Sequence, residues 1–185
     1  MVLKKREEGE HLDRNDIQIA NNQGQHDFVV CWYEEQYEAY GEHHDLASLV
    51  SALRHAGRSA QAAEIAKREV NQHNIQSAPV WTSYGAALAD LGDLEGAERC
   101  ALSGLALEIS YYPHNLLGRV YFLQGDPERG ECHFDIALEL GSQPRSLRKA
   151  MENAIEELSE STGRETARYL LKKDSVKYNW ARQYL

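Results

Sequence analysis

The sequence has 185 residues, of which 42% are hydrophobic and 26% are charged, with 13 glycines and 4 prolines. This composition is typical of one globular domain and excludes collagen-like, disulfide-scaffold and Pro/Gly-rich disordered chains. No apolar run approaches the ~18 residues of a membrane span, and residues 1–27 lack the apolar segment of a secretory signal. Three cysteines, an odd number, favour a reduced thiol state, so we expect a cytoplasmic protein. Because the sequence shows no membrane span, we also expect no membrane partner.

Charge is unevenly distributed along the chain, whose net charge is -9. Residues 1–45 contain 4 basic and 11 acidic side chains, whereas residues 145–185 contain 9 basic and 6 acidic ones. Nucleic-acid binding needs clustered positive charge to neutralise phosphates, and the acidic balance argues against it. We therefore expect no nucleic-acid partner.

The N-terminal part of the chain predicts an arm followed by one helix. Residues 1–26 show no hydrophobic periodicity, which predicts a flexible arm. Residues 27–42 predict a helix from Phe28 to Tyr40, with Asp27 as its N-cap and Gly41 at its end.

The middle of the chain is an internal repeat in three windows, residues 43–77, 78–110 and 111–144. Gly57, Gly92 and Gly125 are spaced by 35 and 33 residues, and six further columns keep the same offsets. In each window an apolar helical pattern, a glycine turn and a second helical pattern follow one another. The windows therefore predict three helix hairpins, in which glycine allows a left-handed turn and Asp93 can cap the next helix.

This pattern resembles the tetratricopeptide repeat (TPR) family over roughly residues 43–144. The middle window matches best, with Trp81, Tyr84-Gly85, Leu88, Gly92-Asp93, Ala97 and Ala101 at the places that the family keeps. The resemblance implies an all-α, right-handed superhelical stack of antiparallel helix hairpins. It also implies a scaffold that binds a peptide or a partner protein in a concave groove lined by the first helix of each hairpin.

Residues 145–185 predict two more helices, which form either a divergent fourth repeat or a cap for the stack. The first is expected over Arg145–Leu158 and the second from Arg164 to about Leu185, with a break at residues 159–163. A solenoid exposes an apolar face at each end, which terminal helices can cover.

A search for catalytic and metal-binding patterns favours a protein that is not an enzyme and has no cofactor. Cys132 and His133 are adjacent on a predicted helix, so their side chains point about 100° apart. Cys132 and Cys100 take similar places in their windows and are expected to be buried packing residues. His43, His44 and Asp45 have metal-ligand side chains, but no further pair at useful spacing supports a metal site.

The family register implies which residues face the groove. The groove positions of the three windows are occupied by Arg54, Thr82, Tyr112, Asn115, Arg119 and Phe122. Those of the following helix are occupied by Arg148 and Lys149. Asn115 and Arg119 are four residues apart on one helix face. With Arg148 they predict a site for a carboxylate or an acidic peptide, with Tyr112 and Phe122 as apolar contacts. Of the basic and amide residues with which some family members hold chaperone tails, only Arg119 is matched, which argues against that ligand.

The leading functional hypothesis is a non-catalytic interaction scaffold or adaptor. Chain length, acidity and repeat number also resemble the class II chaperones of bacterial type III secretion. Opposite charge at the two ends of the chain raises a second alternative, a self-assembling module or homo-oligomer. The third is an enzyme, or a non-catalytic domain of one, with Cys132 and His133 or the cluster of His43, His44 and Asp45 as the chemical groups.

Overall fold

α-Helices follow one another along the chain, and no strand occurs among the residues that the structure describes. The structure is a computed structural model that describes Lys5 and residues 11–185. Its helices are α1 (Arg14–Asn22), α2 (His26–Tyr40), α3 (His43–His55), α4 (Ser59–His73), α5 (Ala78–Asp90), α6 (Leu94–Leu107), α7 (Tyr111–Leu123), α8 (Pro127–Glu139), α9 (Pro144–Glu157), α10 (Glu160–Lys173) and a 3₁₀ helix (Asn179–Tyr184). The predicted all-α array of helix hairpins is confirmed.

The chain forms two compact units, and the boundary between them falls in the turn between α5 and α6. The N-terminal unit ends at Leu91 and contains α1 to α5. Its central helix is α3, which packs against α2, α4 and α5. Leu46, Val50 and Leu53 of α3 are fully buried, and their burial removes most of the apolar surface of this helix from water.

The C-terminal unit begins at Gly92 and contains α6 to α10 and the 3₁₀ helix. Here α7 is central and packs against α6, α8 and α9, while α10 contacts α8, α9 and the 3₁₀ helix. The core of this unit joins aromatic and aliphatic side chains from several of these elements: Phe122, Phe134, Met151, Leu170 and Tyr178.

The turns have the geometry that the repeat pattern predicts. Gly57, Gly92 and Gly125 all have positive φ angles, of 74°, 82° and 75°, a region that glycine enters without steric cost. The carboxylates of Asp93 and Asp126 accept backbone hydrogen bonds from the first turns of α6 and α8. Each of these two turns therefore ends one helix and caps the next through local interactions alone.

The prediction of a flexible arm over residues 1–26 is wrong for residues 14–22, which form α1. Ile17 is 1% exposed and Ala20 is fully buried against the core of the N-terminal unit. A capping box links Asp13 and Asp16 at the start of the helix. Residues 1–4 and 6–10 lie outside the described residues, so the arm stays a prediction there.

Two predicted helix boundaries also need correction. Helix α2 begins at His26 after an N-cap at Gln25, and Asp27 lies in its first turn instead of capping it. The last α-helix spans Glu160–Lys173, because the Ser159 hydroxyl caps its N-terminus inside the predicted break. After Lys173 the chain turns and continues as the 3₁₀ helix instead of the predicted long helix.

The length and hydropathy of the helices also bear on membranes. Within the described ranges, none of the helices combines the length and the apolar character needed to cross a bilayer.

Candidate functional site

Three predicted groove residues share one face of α7. Tyr112, Asn115 and Arg119 are spaced i, i+3 and i+7, which places them on a single stripe of the helix. We call these three residues the α7 stripe. The Tyr112 side chain is 52% exposed, and its ring lies 4.1 Å from the ring of Tyr111 between centroids.

Hydrogen bonds to neighbouring elements hold the two polar members of the α7 stripe. The Arg119 Nη2 donates to Oε1 of Glu157 on α9 at 3.2 Å. The Asn115 side-chain amide and the buried Ser142 hydroxyl lie within 3.1–3.2 Å and can exchange hydrogen bonds in both directions. Both side chains are therefore oriented before any partner binds.

Phe122 was predicted to contact a ligand in the groove, and this prediction is wrong. Its side chain is fully buried, and its ring packs on Phe134 with 5.5 Å between centroids. A Cβ added to Gly130 would lie 2.3 Å from the Phe122 ring, so the ring occupies the space that this glycine leaves between α7 and α8.

Arg148 was predicted to join Asn115 and Arg119, and the structure separates them. Arg148 and Glu157, the partner of Arg119, are nine positions apart on α9, which is about two and a half turns and therefore opposite faces. Arg148 instead lines a cleft together with α8 and the C-terminal segment, residues 174–185. Lys149 is exposed on α9.

The N-terminal unit carries the two remaining predicted residues. Arg54 on α3 donates through Nε and Nη2 to the two carboxylate oxygens of Asp90 on α5, at 2.7 and 3.2 Å. The Ser59 hydroxyl donates to the same carboxylate at 3.1 Å. The Thr82 hydroxyl donates to the carbonyl of Ala78 within its own helix. Arg54 thus links α3 to α5, which are the first helices of two successive hairpins. The hydroxyl of Thr82 is bonded within its own helix.

A histidine pair on α7 and α8 was not identified from the sequence. The Nδ1 atoms of His114 and His133 are 2.9 Å apart, which requires one ring to donate and the other to accept. Burial lowers the pKa of both rings from the ordinary value, and the charge of His114 lowers the pKa of His133 further. The His133 ring also stacks on Tyr121 at 5.4 Å. The two histidines are 19 residues apart in sequence, and no spacing rule joins them.

The metal and thiol candidates from the sequence can now be placed. His43 and His44 are exposed, while Asp45 is buried and accepts a hydrogen bond from Arg14. In the described part of the chain no group of three metal-ligating side chains occurs. Cys100 is buried as predicted, and desolvation raises the pKa of its thiol to about 11. Cys132 is exposed, so the prediction that it is a buried packing residue is wrong.

Comparison with known proteins supports the repeat assignment. The model of the tetratricopeptide repeat family matches residues 78–102. No curated protein shows significant sequence similarity to the chain. The solved structure of TTC0263, a thermophilic TPR protein in Thermus thermophilus, is 18% identical, with a TM-score of 0.66 over 90% of this chain and 95% of that one.

Two solved structures of MamA are also similar in fold. One is 18% identical, with a TM-score of 0.55 over 94% of this chain and 96% of that chain. The other is 19% identical, with a TM-score of 0.54 over 91% of both chains. These likenesses define the class of protein, an all-α array of helix hairpins. Together with the repeat match over residues 78–102, they support the resemblance to tetratricopeptide-repeat proteins that the sequence shows.

Proposed function

We propose that the protein is a non-catalytic interaction scaffold that binds a peptide or a partner protein through the α7 stripe. The proposal rests on one observation: an exposed tyrosine, an asparagine and an arginine lie together on one face of a helix. Tyrosine and arginine are among the residue types that dominate binding energy in protein interfaces. Because Asn115 and Arg119 are already hydrogen-bonded, fixing them in a complex costs less side-chain entropy.

The partner that this stripe favours carries a carboxylate next to an aromatic or apolar group. An incoming carboxylate can compete with Glu157 for the Arg119 guanidinium, whose planar donors match carboxylate geometry. The Tyr112 ring offers apolar contact area beside it. A cytoplasmic location stays a prediction from the reduced cysteines.

A selection experiment tests the proposal with chemically defined partners. Peptides that bind the purified protein are selected from a displayed random library, and their affinities are measured by titration calorimetry. The double variant Tyr112→Ser/Arg119→Gln removes two anchors of the stripe. We expect roughly 30-fold weaker binding, because losing an interface hot spot costs about 2 kcal/mol or more.

A matched control separates the stripe from general surface effects. The variant Tyr40→Ser/Arg99→Gln makes the same chemical changes at an exposed tyrosine of α2 and an exposed arginine of α6. It is expected to bind the selected peptides as the wild type does. Equal affinity of both double variants for every selected peptide would show that the stripe is not the binding surface.

Self-assembly is a second candidate, favoured by two charged helix faces. Asp27, Glu34 and Glu38 share one face of α2, while Arg164, Arg168 and Lys172 recur at i, i+4 and i+8 on α10. Opposite charges of this kind can guide head-to-tail association between copies of the chain. Salt screens these charges and should weaken the association. Light scattering at about 50 and 500 mM salt tests it, and a mass that stays monomeric in both would exclude this candidate.

A further inference from the structure

A cleft of about 220 Å³ opens between α8, α9 and the C-terminal segment. Its walls are mostly apolar and include Leu138 from α8, Leu147 and Met151 from α9, and Trp180 from the 3₁₀ helix. Leu138 is 40% exposed, so the apolar wall reaches the surface. The C-terminal segment is fixed beside the cleft because the Tyr178 hydroxyl donates a hydrogen bond to the buried carboxylate of Glu131.

The size of the cleft indicates what can enter it. Sites for whole small molecules and cofactors typically enclose about 300–1,000 Å³. A volume of about 220 Å³ is below that range but accommodates one large aliphatic or aromatic side chain. The cleft therefore fits a single side chain of a larger partner better than a complete cofactor.

Arg148 adds a charged edge to this apolar cleft. Its Nε donates to Glu152 at 2.9 Å, and its guanidinium carbon lies 5.7 Å from the centroid of the Trp180 ring. Among the residues that the structure describes, Glu152 accepts the hydrogen bond of the Arg148 Nε, and no acceptor pairs with the Nη1 and Nη2 atoms of Arg148. The guanidinium is thus positioned and keeps the donors with which arginine binds a carboxylate in bidentate fashion.

Lys177 places a second cation at the cleft. Its ammonium lies 3.0 Å from Asp135 and 3.6 Å from Glu131, so its charge is already compensated by two carboxylates. Arg148 is therefore the better anchor for an incoming anion.

We propose that this cleft binds the C-terminal residue of a peptide, with a side chain of leucine, methionine or phenylalanine size in the cleft and the terminal carboxylate on Arg148. Both the apolar walls and the guanidinium line the same small space, so the apolar group and the carboxylate must be close together. A C-terminal residue carries both on one Cα. In an extended internal segment, an acidic side chain next to an apolar one projects to the opposite side.

The inference rests on the proposed function for the class of partner, a peptide, but it uses a different surface. Arg148 and the Glu157 partner of the α7 stripe lie on opposite faces of α9. The two sites can therefore be tested separately.

Fluorescence anisotropy with a dye-labelled Gly-Ser-Gly-Ser peptide that ends in a free leucine provides the test. Three comparison peptides carry a leucine amide, a terminal alanine, or an internal Leu-Asp pair followed by Gly-Ser and an amide. We expect the free leucine peptide to bind and each of the three others to bind about tenfold more weakly, because each lacks the carboxylate, the apolar group or their common attachment.

Matched variants assign the binding to the cleft. Arg148→Gln and Leu138→Ser are expected to weaken binding of the free leucine peptide about tenfold. Arg145→Gln and Leu102→Ser make the same changes at exposed residues that do not line the cleft, and they should bind as the wild type does. Circular dichroism melting of all four variants checks that each is folded.

Several outcomes would overturn the proposal: no binding of the free leucine peptide at millimolar concentration, equal binding of the amide or of the internal Leu-Asp peptide, or unchanged binding to Arg148→Gln. The variant Tyr112→Ser/Arg119→Gln distinguishes this site from the α7 stripe, since it should bind the leucine peptide with wild-type affinity. Loss of binding in that variant, with Arg148→Gln unaffected, would assign the peptide to the stripe and refute the cleft.

Discussion

Replacing Gly130 with alanine tests the closest approach of α7 and α8. A Cβ built on Gly130 would lie 2.3 Å from Cδ2 of Phe122 and 3.0 Å from the carbonyl oxygen of Gly118. The Phe122 ring is fully buried and packs on Phe134, so it has little room to move away. One added methyl group therefore pushes against both a confined ring and the backbone of α7.

Two opposing effects determine the sign of the change. Alanine within a helix is favoured over glycine by about 0.8–1.0 kcal/mol. Overpacking a well-packed core costs about 1–3 kcal/mol, and a contact with backbone favours the upper part of that range because the backbone cannot change rotamer. We therefore expect Gly130→Ala to lower the free energy of unfolding by about 1–2 kcal/mol.

Urea denaturation at 25 °C measures this difference directly. Gly163→Ala on α10 is the matched control, because its Cβ would meet Ile155 at 3.3 Å and 3.6 Å, and we expect it to be neutral or mildly stabilising. Adding Phe122→Leu makes space at Gly130, so the alanine should cost less in that background. If Gly130→Ala instead raised the free energy of unfolding by the full helix-propensity gain, the packing of α7 on α8 described above would be wrong.

Three further predictions concern the C-terminal unit. Tyr178→Phe removes a hydrogen bond to the buried carboxylate of Glu131, and it should lower the free energy of unfolding by about 1.5–3 kcal/mol in urea; a change below about 0.5 kcal/mol would contradict this. Because His114 and His133 have lowered pKa values in the folded chain, the unfolded chain binds more protons below about pH 6.5. The urea midpoint should therefore fall between pH 7.5 and 5.5, and it should fall less in His133→Gln. With a thiol reagent at pH 8, the two exposed cysteines should react rapidly and the buried Cys100 slowly; rapid reaction of all three in the folded protein would show that α6 opens.

The helices of the repeat region were predictable because their signals are local. Helices α3, α5 and α7 begin at His43, Ala78 and Tyr111, which are the starts of the three predicted windows. A glycine that ends one helix and an aspartate that caps the next act over a few residues, so they can be identified without knowing the tertiary structure.

Helix α1 was missed because it is short and has few apolar residues. Ile17 and Ala20 are its buried apolar residues, and most of the segment is polar. The capping box between Asp13 and Asp16 was the available local signal. A short helix of this kind depends on tertiary packing, because isolated helices of its length are marginal in water.

The sequence by itself determined the fold class, the repeat register and the α7 stripe, because helical spacing places residues of one helix on a common face. Only the tertiary structure decided which elements each face meets. Packing buried Phe122 against α8, paired Arg119 with Glu157 of α9, placed Arg148 at the cleft beside α8, and joined His114 to His133 across two helices. Contacts between helices depend on how the helices pack, and side chains that share a repeat register can therefore face different neighbours.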